Sequence, residues 1–269
     1  MDKNSTAYTV LFAAAVCLIC GVAVASAAVG LRERQENNKV IDKKSKVLAA
    51  ARLLPTGAVS ADEISRLYEE NVTPRVVELK SGKFVDAMDA RSFDMKQAMS
   101  DPSSSEKAPP NAAQVARLPT NSLIYEIGKD GITESLVLPV QGKGLWSTLY
   151  GFLALSADTE TIQGLIFYQH GETPGLGGEV DNPRWRKLWQ GRKPFDSSYE
   201  PVIAVLKGQA GTVDDDPHHV DGLSGATITS RGVTHLVQFW LGENGYGPTL
   251  QQYRDQAPKK SASAPIPAQ

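Results

Sequence analysis

Leu123-Ile124-Tyr125-Glu126-Ile127, Thr133-Glu134-Ser135-Leu136-Val137-Leu138-Pro139-Val140, Leu149-Tyr150-Gly151-Phe152-Leu153-Ala154-Leu155 and Ile162-Gln163-Gly164-Leu165-Ile166-Phe167-Tyr168 follow one another within residues 123–168. Each run is short, rich in β-branched and aromatic side chains, and separated from the next by a turn carrying Gly or Asp. That pattern predicts consecutive strands in a mixed or antiparallel sheet. The helical patterns lie on either side of this run and do not alternate with it, which points to an α+β fold and away from a doubly wound sheet.

Toward the amino terminus, residues 86–120 change in character. Asp101-Pro102-Ser103-Ser104-Ser105 and Ala108-Pro109-Pro110-Asn111 are loop punctuation, and the segment is expected to be a surface insertion that buries little. Arg75-Val76-Val77-Glu78-Leu79 reads as one more short strand turned by Ser81-Gly82, with Pro74 closing off what precedes it. Ser60-Ala61-Asp62-Glu63 is a capping box, and Ile64, Leu67 and Tyr68 follow it at helical spacing.

On the carboxyl side, Asn182-Pro183 opens a short helix with Trp185, Leu188 and Trp189 on one face and Arg184, Arg186 and Lys187 on the other. Residues 201–207 read as a further strand. An acidic loop, Asp214-Asp215-Asp216-Pro217, leads to His218-His219, and Val233, Leu236, Val237, Trp240 and Leu241 then recur at helical spacing. His218 and His219 are either metal ligands or solvated loop residues; zinc wants more ligands and a hard cation more regular acidic spacing, so no metal site is assigned. His235 flanks the apolar face of the last helix. Residues 256–269, with Lys259-Lys260-Ser261 and three prolines, are expected to be disordered.

Ahead of all this, residues 8–31 are almost wholly apolar and residues 4–31 contain no charge, enough to cross a bilayer as a helix of about 20 residues. Ala25-Ser26-Ala27 has the form of a signal-peptidase site, but the run exceeds the roughly 7 to 15 residues of a signal core, so an uncleaved anchor is expected. Residues 1–7 precede it, and residues 32–55, rich in helix formers up to Pro55, continue it as a helical stalk. Residues 56–255 then form the α+β domain. Cys17 and Cys20 both lie in the apolar run and read as small apolar residues, leaving no thiol for a disulfide or metal in the rest of the chain. Arg32, Arg34, Lys39, Lys43, Lys44 and Lys46 outweigh Lys3, which by charge bias alone places the large domain in the cytoplasm, but that bias steers long domains poorly.

In its 269 residues, 41% hydrophobic and 22% charged, the chain carries a formal charge of −2 and enough apolar content for a full core. So balanced a charge argues against a nucleic-acid partner.

Three stretches carry chemistry. Asp221-Gly222-Leu223-Ser224-Gly225-Ala226-Thr227-Ile228-Thr229 places hydroxyls and tiny residues just ahead of the last helix. Gly225 and Ala226 let the backbone approach a ligand, and the free N–H groups of the helix start suit a phosphate; alternatively, Ser224 or Thr227 simply caps the helix. Glu172-Thr173-Pro174-Gly175-Leu176-Gly177-Gly178-Glu179 is a glycine-rich bend with neither a Walker ending nor Rossmann spacing, hence a ligand loop or a wide turn. Gly142-Lys143-Gly144-Leu145-Trp146 is a hairpin turn or a loop that meets a planar ligand.

The anchor, Pro139-Val140-Gln141-Gly142-Lys143-Gly144-Leu145-Trp146, His170-Gly171-Glu172-Thr173-Pro174-Gly175-Leu176-Gly177 and Asp221-Gly222-Leu223-Ser224-Gly225-Ala226-Thr227, in this order, closely resemble the NqrC family, the subunits of the bacterial Na⁺-translocating NADH:quinone reductases that hold an FMN-binding domain behind one membrane helix. The likeness runs through Gln35, Asn38, Lys39, Asp42 and Lys43 to the C-terminal helix, nearly the whole chain.

The resemblance implies that Thr227 carries FMN through a phosphodiester bond, made from FAD by a flavin transferase outside the cytoplasmic membrane. The soluble domain is then periplasmic, on a single-pass inner-membrane anchor. It implies phosphate contacts from Ser224, Gly225, Ala226 and Ile228, with Asp221 serving transferase recognition or loop geometry. Thr173, Leu176, Leu145 and Trp146 would cover the ring, with Glu172 and Lys143 at its polar edge. It also implies electron relay from an iron–sulfur centre to another flavin subunit, on the way from NADH to ubiquinone and coupled to Na⁺ export, within a complex of six subunits. No residue is then a general acid, base or nucleophile in turnover, because the flavin carries the chemistry. The rival family is the anchored, flavinylated RnfG subunits of the ion-translocating ferredoxin:NAD⁺ oxidoreductases; Gly-Lys-Gly-Leu-Trp and the long insertion favour the NqrC family. The rival class is a membrane-anchored periplasmic binding or scaffold module without flavin.

Overall fold

The computed structural model describes residues 5–55 and 57–256. The chain divides at Lys43 into two compact units. The first consists of the greater part of helix α1 (Thr6–Ala50), whose apolar portion reaches a mean hydropathy of 2.6 over 18 residues and is long and apolar enough to cross a bilayer. Leu18, Ile19, Val24 and Val29 are exposed along it, as are Cys17 and Cys20.

The second unit begins at Lys44. After the last turns of α1 come α2 (Ala61–Asn71), β1 (Val72–Glu78), α3 (Met95–Ser100), β2 (Ser105–Lys107), β3 (Arg117–Pro119), β4 (Asn121–Lys129), β5 (Ile132–Lys143), β6 (Thr148–Ser156) and β7 (Ile162–Gln169). They are followed by a 3-10 turn (Gly177–Asp181), α4 (Pro183–Lys187), β8 (Ala204–Val205), β9 (His219–Val220), α5 (Thr227–Leu241) and α6 (Gly247–Gln256). The N-cap half of the expected capping box forms: the Ser60 hydroxyl accepts the Glu63 N–H at 3.2 Å, while the Glu63 carboxylate lies 3.9 Å from Arg66. Asn182 likewise accepts from the Arg184 N–H at 2.9 Å to start α4.

Five strands form one antiparallel sheet in the order β1-β4-β5-β6-β7. Side chains alternate between its faces. Leu136, Leu138 and Val140 of β5, with Leu149, Leu153 and Leu155 of β6, share a core with Val233, Leu236, Val237 and Trp240 of α5. On the other face Tyr125, Phe152 and Tyr168 form a row, with ring centroids 5.9 and 5.0 Å apart. Burial on both faces explains why the strands read as nearly continuous apolar runs. Two sets of bonds fix α5 and the segment after it to the sheet: the Trp240 Nε1–H donates to the Gln141 carbonyl at 2.7 Å, and the Tyr246 hydroxyl meets Ser122 and the carbonyls of Leu123 and Pro139.

Three expectations need correction. Residues 86–120 bury more than loop punctuation suggests: Met99, Ala108, Ala113, Val115 and Leu118 enter the main core, carried by α3 and the β2–β3 hairpin. Pro74 does not precede a strand but lies inside β1, tolerated because β1 is an edge strand where a missing N–H costs no ladder bond. Of residues 201–207 only Ala204–Val205 form a ladder, parallel to β9. The tail expected from residue 256 lies outside the described residues except for Gln256, which ends α6.

Candidate functional site

Because the sheet is antiparallel, the end of β5, the start of β6 and the end of β7 lie at one end of it. The β5–β6 connection and the glycine-rich bend after β7 are therefore neighbours, and the start of α5 is drawn to the same place by close packing. Gly142 on β5 admits Leu236: a Cβ there would sit 2.5 Å from the Leu236 Cβ. One turn earlier on α5, Gly232 leaves room for the Lys143 carbonyl, which any Cβ would overlap.

The three loops are joined by Glu172. Glu172 is 5% exposed, and its carboxylate accepts the N–H groups of Leu145 at 3.2 Å, Trp146 at 3.0 Å and Ser147 at 3.3 Å. It also accepts the hydroxyl of fully buried Thr229, in the first turn of α5, at 2.6 Å. Burial by itself would raise this carboxyl's pKa; the Thr229 hydroxyl and the three amides outweigh it and hold the group below the ordinary carboxylate value. Two glycines make space for it. A Cβ on Gly144 would lie 2.5 Å from a Glu172 oxygen, and one on Gly177 2.5 Å from the Thr229 hydroxyl.

Around that buried clamp lies an open rim. Thr227 is the first residue of α5 and is half-buried, while Ser224, Gly225 and Ile228 are exposed. Leu145, Trp146 and Leu176 are exposed on the two facing loops, Trp146 to 67%. Gly225 has φ of +68° and faces Leu176, whose Cδ2 would be 2.9 Å from a Cβ there, so glycine is needed both for the turn and for the approach. Thr173 is exposed, and its carbonyl accepts from Leu176 and Gly178 to shape the bend. Lys143 ends β5 and reaches the Trp146 carbonyl at 3.4 Å.

The helix-cap alternative meets a plain difficulty: the N-cap of α5 is Ala226, and no side chain caps the helix. Neither Ser224 nor Thr227 does so. The Ser230 hydroxyl instead accepts the Leu223 N–H at 3.1 Å, and the Ala226 N–H is taken by the Leu223 carbonyl at 3.1 Å. That removes Ala226 as an amide donor to a ligand. Among the described residues the remaining first-turn amides of α5 have no side-chain acceptor, which is the arrangement that holds an anion at a helix start.

The approach to this turn is rigid. The Asp221 carboxylate accepts the Ala210 N–H at 2.8 Å, and its carbonyl accepts the Trp185 Nε1–H at 2.8 Å, so Asp221 acts on loop geometry. Trp185 and Trp189 pack edge to face within the core. His219 meets Asp216 at 2.6 Å, and His218 meets the Lys193 carbonyl at 2.9 Å, both away from the rim.

Thr229 and Ser147 are the residues that sequence reasoning missed. Thr229 does carry a signal: four residues before Val233, it falls on the apolar face of α5, where a hydroxyl must find a partner. The Ser147 hydroxyl accepts the Gly171 N–H at 2.6 Å and gives no comparable signal.

Residues 144–242 match the family model described as the FMN-binding domain, which takes in all three stretches except Gly142 and Lys143 at the end of β5. The NqrC subunit of the Na(+)-translocating NADH-quinone reductase of Pseudomonas aeruginosa is 44% identical over 256 residues, covering 94% of this chain and 98% of the relative. Its counterpart in Yersinia pestis is 42% identical over 262 residues, covering 96% and 97%. Among solved structures, NqrC of Shewanella oneidensis superimposes with a TM-score of 0.74 at 32% identity, covering 82% of this chain and 99% of that one. The corresponding reductase subunit from Parabacteroides distasonis gives a TM-score of 0.63 at 29% identity, covering 82% and 96%.

Proposed function

Because this chain belongs to the NqrC family of Na(+)-translocating NADH-quinone reductase subunits, we propose that it is a membrane-anchored electron-relay subunit that carries FMN on Thr227. The observation that carries this reading is the start of α5: a half-buried Thr227 opens a helix that no side chain caps, beside the exposed Leu176 and Trp146. The residues fit the group. A phosphate on Thr227 would take up the uncapped amides, with that of Ile228 and the Ser224 hydroxyl as donors and Gly225 giving the backbone room. Leu145, Trp146, Leu176 and Thr173 would give the ring its flat, largely apolar cover, and Lys143 would stand at its polar edge.

FMN, when bound, takes up and releases electrons singly, which suits a relay between an iron–sulfur centre and a second flavin subunit. The attachment balances as a phosphoryl exchange: the Thr227 oxygen replaces AMP on the flavin phosphate of FAD, AMP leaves, and the hydroxyl proton is released. A flavin transferase outside the cytoplasmic membrane performs it, so the domain is periplasmic and α1 crosses the inner membrane once. Electrons originate from NADH and go on to ubiquinone through the other subunits. Residues 4–31 carry no charge and offer no ion path, so Na⁺ export belongs to those subunits.

The test is denaturing electrophoresis of the full chain made in a host with the transferase. The wild-type band fluoresces as a flavoprotein and Thr227→Ala is dark. A dark wild-type band, or a fluorescent Thr227→Ala band, overturns the attachment.

A further inference from the structure

Among the described residues, two charged side chains are buried: Arg192 and Glu172. The Arg192 guanidinium is spent on carbonyls of Leu188, Gly211, Thr212 and Asp216 in the loops below the sheet edge, and its role ends there. Glu172 is different in place and in partners. All four of its hydrogen-bond donors are neutral, and every one belongs to the wall of the proposed flavin site. Three are successive backbone amides directly under Leu145 and Trp146, and the fourth is a hydroxyl two residues after Thr227.

A buried carboxylate with four donors keeps its full negative charge, because the donors stabilise it without cancelling it. Both oxygens are occupied, so Glu172 is not available to the polar edge of a bound ring; it stands behind the wall. Gly144 and Gly177 exist in its immediate surroundings as the space it needs. A neutral amide in its place presents an NH₂ to an N–H, and that half of the clamp repels.

We propose that Glu172 is a positioning residue for the flavin: it locks the 145–147 backbone to the first turn of α5 and fixes one negative charge at the base of the site. This rests on the proposed function above for the identity of the ligand. A fixed anion beside a redox centre disfavours the added electron, so the charge holds the flavin's potential down. The clamp also sets where Leu145 and Trp146 stand relative to Thr227.

The experiment uses the full chain made with the transferase, as wild type, Glu172→Gln, Glu172→Asp and Thr229→Val. Three readouts are taken: in-gel flavin fluorescence, the flavin midpoint potential by spectroelectrochemical titration, and hydrogen exchange of the amides of Leu145, Trp146 and Ser147 in flavin-free protein. The expected result is a fluorescent band in all four and a potential that moves to more positive values in Glu172→Gln alone. Exchange at residues 145–147 speeds up in Glu172→Gln and Glu172→Asp, which withdraw or shorten the acceptor. Thr229→Val keeps the carboxylate and the three amide bonds but severs the one bond that reaches α5, so its potential stays near wild type while exchange at residues 145–147 speeds up, less than in Glu172→Gln. A potential unmoved in a folded, fluorescent Glu172→Gln overturns the charge, and unchanged exchange overturns the clamp. Should Glu172→Gln not fold, Glu172→Asp decides through exchange. A dark wild-type band strikes at flavin attachment and leaves the exchange result standing.

Discussion

Gly142 of β5 and Leu236 of α5 approach so closely that a methyl group on Gly142 would fall 2.5 Å from the Leu236 Cβ, inside contact distance for any pair of carbons. The missing side chain is what lets the helix lie on the strand. Gly142→Ala forces them apart, an overpacking change that typically costs about 1–3 kcal/mol. The measurement is thermal unfolding of the soluble domain, expected to fall by several degrees. An unchanged Tm would mean that α5 does not depend on this contact.

Gly232, on the same helix face, meets the Lys143 backbone carbonyl where Gly142 meets a side chain. A carbonyl cannot rotate away as a side chain does, so Gly232→Ala moves the start of α5 itself. The expected outcome is a loss of flavin fluorescence per mole of folded protein larger than that of Gly142→Ala. Equal flavin content in the two variants contradicts it.

Tyr246 is fully buried with its hydroxyl between Ser122 at 2.8 Å and the carbonyls of Leu123 at 3.1 Å and Pro139 at 3.0 Å. Burial pushes its pKa well up, so it stays a neutral donor at any physiological pH. Tyr246→Phe leaves the buried Ser122 hydroxyl with only the Met95 sulfur at 3.5 Å and should cost about 1–3 kcal/mol. Adding Ser122→Ala removes the weakly satisfied hydroxyl and should recover part of the loss in urea unfolding; a double variant as unstable as the sum of the singles refutes the network.

The Glu172 carboxyl titrates below its ordinary value of 4.5 because of the hydrogen bonds that overcome its burial. A group whose folded pKa is depressed adds stability above its unfolded pKa and loses it as pH falls through the folded value. The stability gap between wild type and Glu172→Gln should therefore be full at pH 7 and above about 5, and shrink progressively below the unfolded value. Urea melts across that range read it directly. A gap independent of pH would show that the carboxylate contributes no charge-dependent stability.

The sheet was legible in the sequence because its strands are short, β-prone and punctuated; that all five pair antiparallel, with none of the mixed pairing the sequence also allowed, was decided by the fold. The two N-caps at Ser60 and Asn182 were legible for the same local reason: cap and helix lie within four residues of each other. Residues 86–120 were misjudged because prolines and serines advertise loops, whereas Ala113, Val115 and Leu118 reveal their burial only when a core is placed beside them.

For the candidate site, the sequence by itself singled out three short stretches, around Trp146, Leu176 and Thr227, and left each open between a ligand loop and a turn or cap; only the family resemblance tied them to one ligand. What only the tertiary structure decided is what joins them. Glu172 and Thr229 are 57 residues apart, and the bond between them exists because strand pairing and the glycine contacts of α5 bring distant loops to one end of the sheet. The absence of a side-chain cap on α5 was equally out of reach, because a serine or threonine near a helix start can cap it or leave it open. Local rules reach a few residues along the chain; a buried charge depends on donors that only folding assembles.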